Sequence, residues 1–174
     1  MLTYLAVLVL FVFFSGIAMT VGEGLWSNIV SLMAIILSGV LALILGPPLG
    51  VLGLEKSGKE PEFMWYFTFA GIWLVFFISV LVIRLVAERL SKVRMKIVPP
   101  LEMVAGPLAG LLVATMFTSF VAFTIYTIPV KAGAWNYDKS ADWQKTTIKS
   151  GAGPFNHVLK SIAGSEVADA YFSK

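Results

Sequence analysis

The chain has 174 residues, 58% of them hydrophobic and only 13% charged, with a mean hydropathy of +0.87. An ordinary soluble domain carries roughly a quarter charged residues, so a water-soluble fold that hides this much apolar surface is excluded. The formal charge of +3 sits in two loops and a tail and not on one aromatic-interleaved face, which argues against nucleic acid as a partner; the absence of cysteine removes disulfides and thiolate metal sites.

The start, Met1 to Ala6, lacks the basic segment of a secretory signal and runs into an apolar stretch longer than such a signal carries, so it is expected to be retained as a first span. A spanning helix needs about 20 mostly apolar residues, and four charge-free segments have that length: Leu2 to Thr20, Leu25 to Leu45, Phe63 to Ile83 and Met103 to Ile128. Their apolar character is continuous and does not alternate, and lipid demands internally satisfied backbone hydrogen bonds, so helices are predicted and a barrel is not. The expected fold is all-α, a polytopic membrane protein with four transmembrane helices over residues 1–130 and a polar tail over 131–174.

Between the first two spans, Val21-Gly22-Glu23-Gly24 places a carboxylate between two glycines, a turn at the membrane interface. Gly46-Pro47-Pro48 predicts the end of the second helix, because proline lacks the amide donor and restrains the residue before it. The apolar stretch Leu49 to Leu54 is too short to span and is expected at the surface, followed by a solvated loop from Glu55 to Glu62. The connection from Arg84 to Leu101 is the most basic short loop, with Arg84, Arg89, Lys92, Arg94 and Lys96 against Glu88, and Pro99-Pro100 precedes the fourth helix. Retention of basic flanks on the cytoplasmic side places this loop and the Glu23 turn inside, with both termini and the Glu55 to Glu62 loop outside. Trp65, Tyr66 and Tyr126 then mark the outer membrane interface and Trp26 the inner one. In the tail, Pro154 is predicted to open a short amphipathic helix with Phe155, Val158, Leu159, Ile162, Ala163 and Tyr171 on its apolar side. That helix lies either on the membrane or a partner, or back over the protein's own loops.

Residues for chemistry are scarce. His157 is the single histidine, no base stands beside a serine or threonine within a span, and Gly46, Gly50 and Gly53 are followed by no phosphate-binding Lys-Ser/Thr. Catalysis, metal binding and a cofactor are therefore not expected. The ionisable residues Glu23, Arg84 and Glu102 sit at span ends, which argues against a self-contained pump. A passive homo-oligomeric channel would draw on Ser27, Asn28, Ser31 and Ser38, although hydrogen-bonded helix packing accounts for them better. Gly106 and Gly110 have the spacing that lets another helix approach, and Ala114 and Ser119 extend the small-residue strip, within one chain or between chains.

The Gly22-Glu23-Gly24-Leu25-Trp26-Ser27 tip, the basic stretch Lys92 to Lys96 before Glu102, the pair Gly106 and Gly110, and the later Asp142-Trp143 and Pro154-Phe155 together resemble the colicin V production protein family. This chain departs from the family pattern in lacking arginines at the first hairpin tip and in having Met103 after the acidic residue, as a divergent member would. The resemblance implies a bacterial inner-membrane protein of four spans that supports toxin secretion or envelope homeostasis through contacts, with lipids and either a membrane-protein partner or further copies of itself around it. An accessory subunit of a larger membrane complex and a small homo-oligomeric channel are the alternatives.

Overall fold

The structure is a computed structural model and describes residues 4–90, 99–128 and 135–166. Among the described residues five α-helices follow in chain order: α1 Tyr4–Thr20, α2 Leu25–Ser57, α3 Met64–Leu90, α4 Pro99–Thr127 and α5 Asp142–Ala163, with a 3-10 turn at Pro61–Phe63 before α3. No strand occurs among the described residues. Three of the helices, α2, α3 and α4, are long and apolar enough to cross a membrane. The apolar α1 has 17 described residues, about 25 Å of helix, at the lower end of what spans a hydrocarbon layer. The protein is thus an all-helical, multi-pass membrane protein with three to four spanning helices.

The turn after α1 is built as its composition requires. Val21 and Glu23 donate their amides back to Ile17 and Thr20, and Gly24 stands in extended geometry as the residue from which α2 starts. From this turn α1 and α2 diverge and barely touch again, because α4 packs against both. The α1–α4 contact is antiparallel and close: a Cβ on Gly16 would lie 3.1 Å from the Ala114 methyl, and one on Gly110 would lie 2.8 Å from the Thr20 carbonyl. On the opposite side α3 runs antiparallel along α2. Its outer surface, including Leu74, Phe77, Ile78 and Leu81, stays exposed, as a lipid-facing side must.

Four of the helices differ in extent from the sequence expectation. Helix α2 does not stop at Gly46-Pro47-Pro48 but continues to Ser57, where Gly58 closes it in the left-handed conformation (φ 62°). The prolines are carried because α3 approaches on both sides of them: Gly46 packs on Ile72 and Gly50 on Thr68, with would-be Cβ distances to backbone of 2.6 and 2.7 Å. Membrane helices keep prolines where a neighbouring helix supports the backbone. Leu49 to Leu54 is therefore part of a helix about 50 Å long, which outreaches the hydrocarbon layer. Likewise α3 runs through to Leu90, so Arg84 and Arg89 are helical and not in a loop, and Pro99 and Pro100 form the first turn of α4, where a missing amide costs nothing. Lys92, Arg94, Lys96 and Tyr171, the first residues of the expected first span, and the 130/131 boundary lie outside the described residues.

The tail helix is the fourth of these. It begins at Asp142, twelve positions before Pro154, and passes through Gly151-Ala152-Gly153-Pro154 without ending. Ala152, Phe155, Ile148 and Leu159 are completely buried and belong to the same core as Phe76, Phe120 and Phe123. At the proline, the Phe155 amide donates to Ser119 Oγ of α4 at 2.8 Å, an acceptor outside the helix at the point where the helix is weakest. The helix thus lies neither on the membrane surface nor over loops. It runs antiparallel to α4, with Gly151 beside Ala122, Lys149 above the Tyr126 ring and Phe155 against Phe120 and Phe123.

Candidate functional site

A cluster of charged and polar groups lies at the end marked by Glu23. Here the N-termini of α2 and α4 converge, and each brings a carboxylate to its positive end: Glu23 just before α2 and Glu102 in the first turn of α4. Ser27 donates to Glu23 Oε2 at 2.6 Å, while Arg84 of α3 stands 3.9 Å from Glu23 Oε1. That pair is part-exposed, so its net contribution is about 1 kcal/mol or less. A Cβ on Gly24 would meet only Glu102 Oε1, at 2.9 Å, the movable end of a flexible side chain, which shows how close the two N-termini come.

Two neutral side chains tie the hairpin tip to α4. The Asn28 amide, fully buried, donates to the carbonyls of Thr20 and Gly106 at 3.0 Å and lies 3.3 Å from that of Glu23. Thr20 Oγ1 stands 2.8 Å from the carbonyls of both Gly16 and Gly110, to which its single proton is shared. The Gly106–Gly110 spacing therefore does more than let a helix approach. Missing Cβ atoms uncover backbone carbonyls whose second lone pairs accept from α1 and α2. The strip of Gly106, Gly110 and Ala114 faces α1 and the hairpin tip within the chain. Asn28→Ala should lower stability by about 1–3 kcal/mol, because three carbonyls lose a buried donor. A thermal midpoint in detergent no lower than that of the parent chain would remove Asn28 from this lock.

The other sequence candidates are dispersed. Trp65 and Tyr66 form an edge-to-face pair at the start of α3, and Tyr126 pairs with Tyr137 near the end of α4, while Trp26 lies at the opposite end of the bundle on the first turn of α2. Burial, with smaller contributions from Tyr126 and Asp138, raises the pKa of the Tyr137 phenol above its ordinary value. Of the serines considered for a channel, Ser38 is fully buried, Ser27 is engaged by Glu23, and Ser31 lines a cavity of about 310 Å³ between α1 and α3 that also borders Phe76 and Arg84. They do not share one open face. Sequence reasoning missed Gly39 and Gly46, Gly50 and Gly71, where α5 and α3 meet α2; the GxxxG spacing of Gly46 and Gly50 was the available signal. Among the described residues there is no group of three or more His, Cys, Asp or Glu that could hold a metal.

A family model described as Colicin V production protein matches residues 5–158, from α1 to the core-facing turn of α5. The chain belongs to the colicin V production protein family. The match takes in the Glu23 tip, the glycine strip of α4 and Phe155, so the features that organise this bundle are within the family region. Comparison with the curated proteins and with the solved structures found no match.

Proposed function

We propose that this is a bacterial inner-membrane protein that supports colicin V production or export, and envelope homeostasis more broadly, through contacts with membrane partners. The observation that carries the reading is the family match over residues 5–158. The Glu23 end, with Arg84 and Arg89 and the basic segment that follows, faces the cytoplasm, and the Trp65–Tyr66 end and N-terminus face the periplasm. The partner surface on the cytoplasmic side is the basic connection between α3 and α4. The protein turns over no substrate in this reading and needs no cofactor.

Deleting the gene from a host carrying colicin V should reduce secreted toxin, and restoring the chain should recover it. Unchanged secretion would remove the export role, whatever the fold. Orientation is read separately: the chain has no native cysteine, so single Lys59→Cys, Lys92→Cys and Lys145→Cys variants can be labelled by an impermeant thiol reagent. Labelling of position 92 alone from outside would invert the orientation.

A further inference from the structure

Helices α1 and α3 scarcely meet, and two cavities of about 310 Å³ each follow one another between them. Val12 and Phe117 border both, so the cavities form one slot floored by α4. The part nearer the Glu23 turn is walled by Phe11, Ser15 and Met19 of α1 and by Phe77, Val80 and Arg84 of α3. Along α1 it runs from Phe11 to Thr20, roughly 14 Å, close to half of a hydrocarbon layer about 30 Å thick. It is thus as deep as one leaflet. Phe11, Met19 and Phe77 are exposed at its rim, so it opens sideways to lipid. A helix of that length, about 10 Å across, would take roughly 1,100 Å³, several times the space; an acyl chain is thin enough to enter.

The turn end of the slot is charged. Arg84 closes it, and its guanidinium stands 3.9 Å from Glu23 Oε1. The two side chains are 51% and 35% exposed, so both are reachable from outside the bundle. The pair is neutral as a whole, yet it sets a cation and an anion side by side where the headgroup of an inserted chain would lie. A guanidinium has five N–H donors, in a fork that suits phosphate as well as carboxylate. Glu23 Oε2 accepts from Ser27, and a carboxylate has lone pairs for further donors. A phosphate next to a primary ammonium satisfies both groups. A phosphate without an ammonium would set a second anion beside Glu23, and a trimethylated ammonium has no N–H to donate.

We propose that this slot binds one phospholipid with a phosphoethanolamine headgroup, its acyl chain between α1 and α3, its phosphate on Arg84 and its ammonium on Glu23. A neutral ion pair meets a neutral zwitterion, each charge facing its opposite, so the site draws on no unbalanced charge in the protein. It is independent of the contact role proposed above and of which leaflet the Glu23 end occupies.

The test is native mass spectrometry of the full chain, released from detergent carrying equal amounts of dioleoyl phosphatidylethanolamine, phosphatidylglycerol and phosphatidylcholine. The parent chain should retain one phosphatidylethanolamine, about fivefold over either competitor, the span that one part-exposed charge pair can supply. Glu23→Gln should abolish the preference over phosphatidylglycerol and still hold lipid. Ser15→Phe, which fills the slot from α1, should lose the lipid while keeping the parent's elution profile. Equal retention of the three lipids by the parent would reduce the slot to ordinary boundary lipid, and a preference for phosphatidylglycerol would overturn the role of Glu23. Undiminished retention in a folded Ser15→Phe variant would place the lipid elsewhere. A lipid-free dimer that Ser15→Phe dissociates would give the slot to a second copy, and so overturn the proposal.

Discussion

Gly71→Leu should prevent α2 and α3 from packing and leave little monodisperse protein in detergent. A Cβ at Gly71 would sit 2.5 Å from the Gly46 carbonyl oxygen and 3.1 Å from the Gly50 amide nitrogen, both backbone atoms that cannot rotate away. The contact is reciprocal, since Gly46 and Gly50 would meet the backbone of Ile72 and Thr68 in the same way. Relief therefore requires the helices to separate along the most extensive interface of the bundle. Lipid supplies no hydrophobic force to restore them, because the tails are as apolar as the side chains; close packing is what holds such helices together. The cost should reach or exceed the top of the about 1–3 kcal/mol typical of overpacked cores. Gly153→Ala is the matched control, as nothing lies within 4 Å of its would-be Cβ. Equal thermal midpoints and elution profiles for the two variants would show that α2 and α3 are not joined at these glycines.

The contrast between the two GxxxG sites explains what could be read from the sequence. Composition and run length disclosed the apolar helices, and Gly106 and Gly110 stood out although Pro107 lies between them, because that single proline is followed by a long uninterrupted apolar run. In Gly46-Pro47-Pro48-Leu49-Gly50 the same spacing was masked by the two prolines, which in water would end a helix. Their effect depends on the neighbour, and only the fold shows α3 lying against that stretch. The Asn28 lock was illegible for a related reason. A lone asparagine in an apolar run signals packing without naming its partner, and its role here depends on a carbonyl 78 residues away in sequence at Gly106. The family motifs were legible because they are local: the Gly-Glu-Gly tip, the glycine pair and the Pro-Phe step are each contiguous.

The tail illustrates the limit of periodicity. Gly151, Gly153 and Pro154 each lower helix propensity, by about 1 kcal/mol for glycine and about 3 kcal/mol for proline, which is why a helix was expected to start at Pro154 and not to cross it. Burial of Ile148, Ala152, Phe155 and Leu159 on one stripe outweighs that cost. The apolar positions upstream of the proline, Ile148 and Ala152, continue the stripe but are too few to announce it.

That balance makes Phe155 the residue on which the tail depends. Its ring is fully buried, lies 5.0 and 5.4 Å from Phe120 and Phe123, and occupies the notch opened by Gly39, where a Cβ would meet it at 2.6 Å. Phe155→Ala should cost about 3–5 kcal/mol, the range for emptying a buried aromatic site. The loss falls on a helix that already carries two glycines and a proline, so α5 is expected to come away from α4 while α1 to α4 remain assembled. Trypsin would then cut at Lys149 and Lys160, which the docked helix resists, and the truncated product would keep the parent's elution volume. Phe155→Leu, which refills most of the notch, should retain resistance. If Phe155→Ala leaves the tail as resistant as the parent chain, the packing of this ring does not hold α5, and the bond from its amide to Ser119 must carry the docking instead.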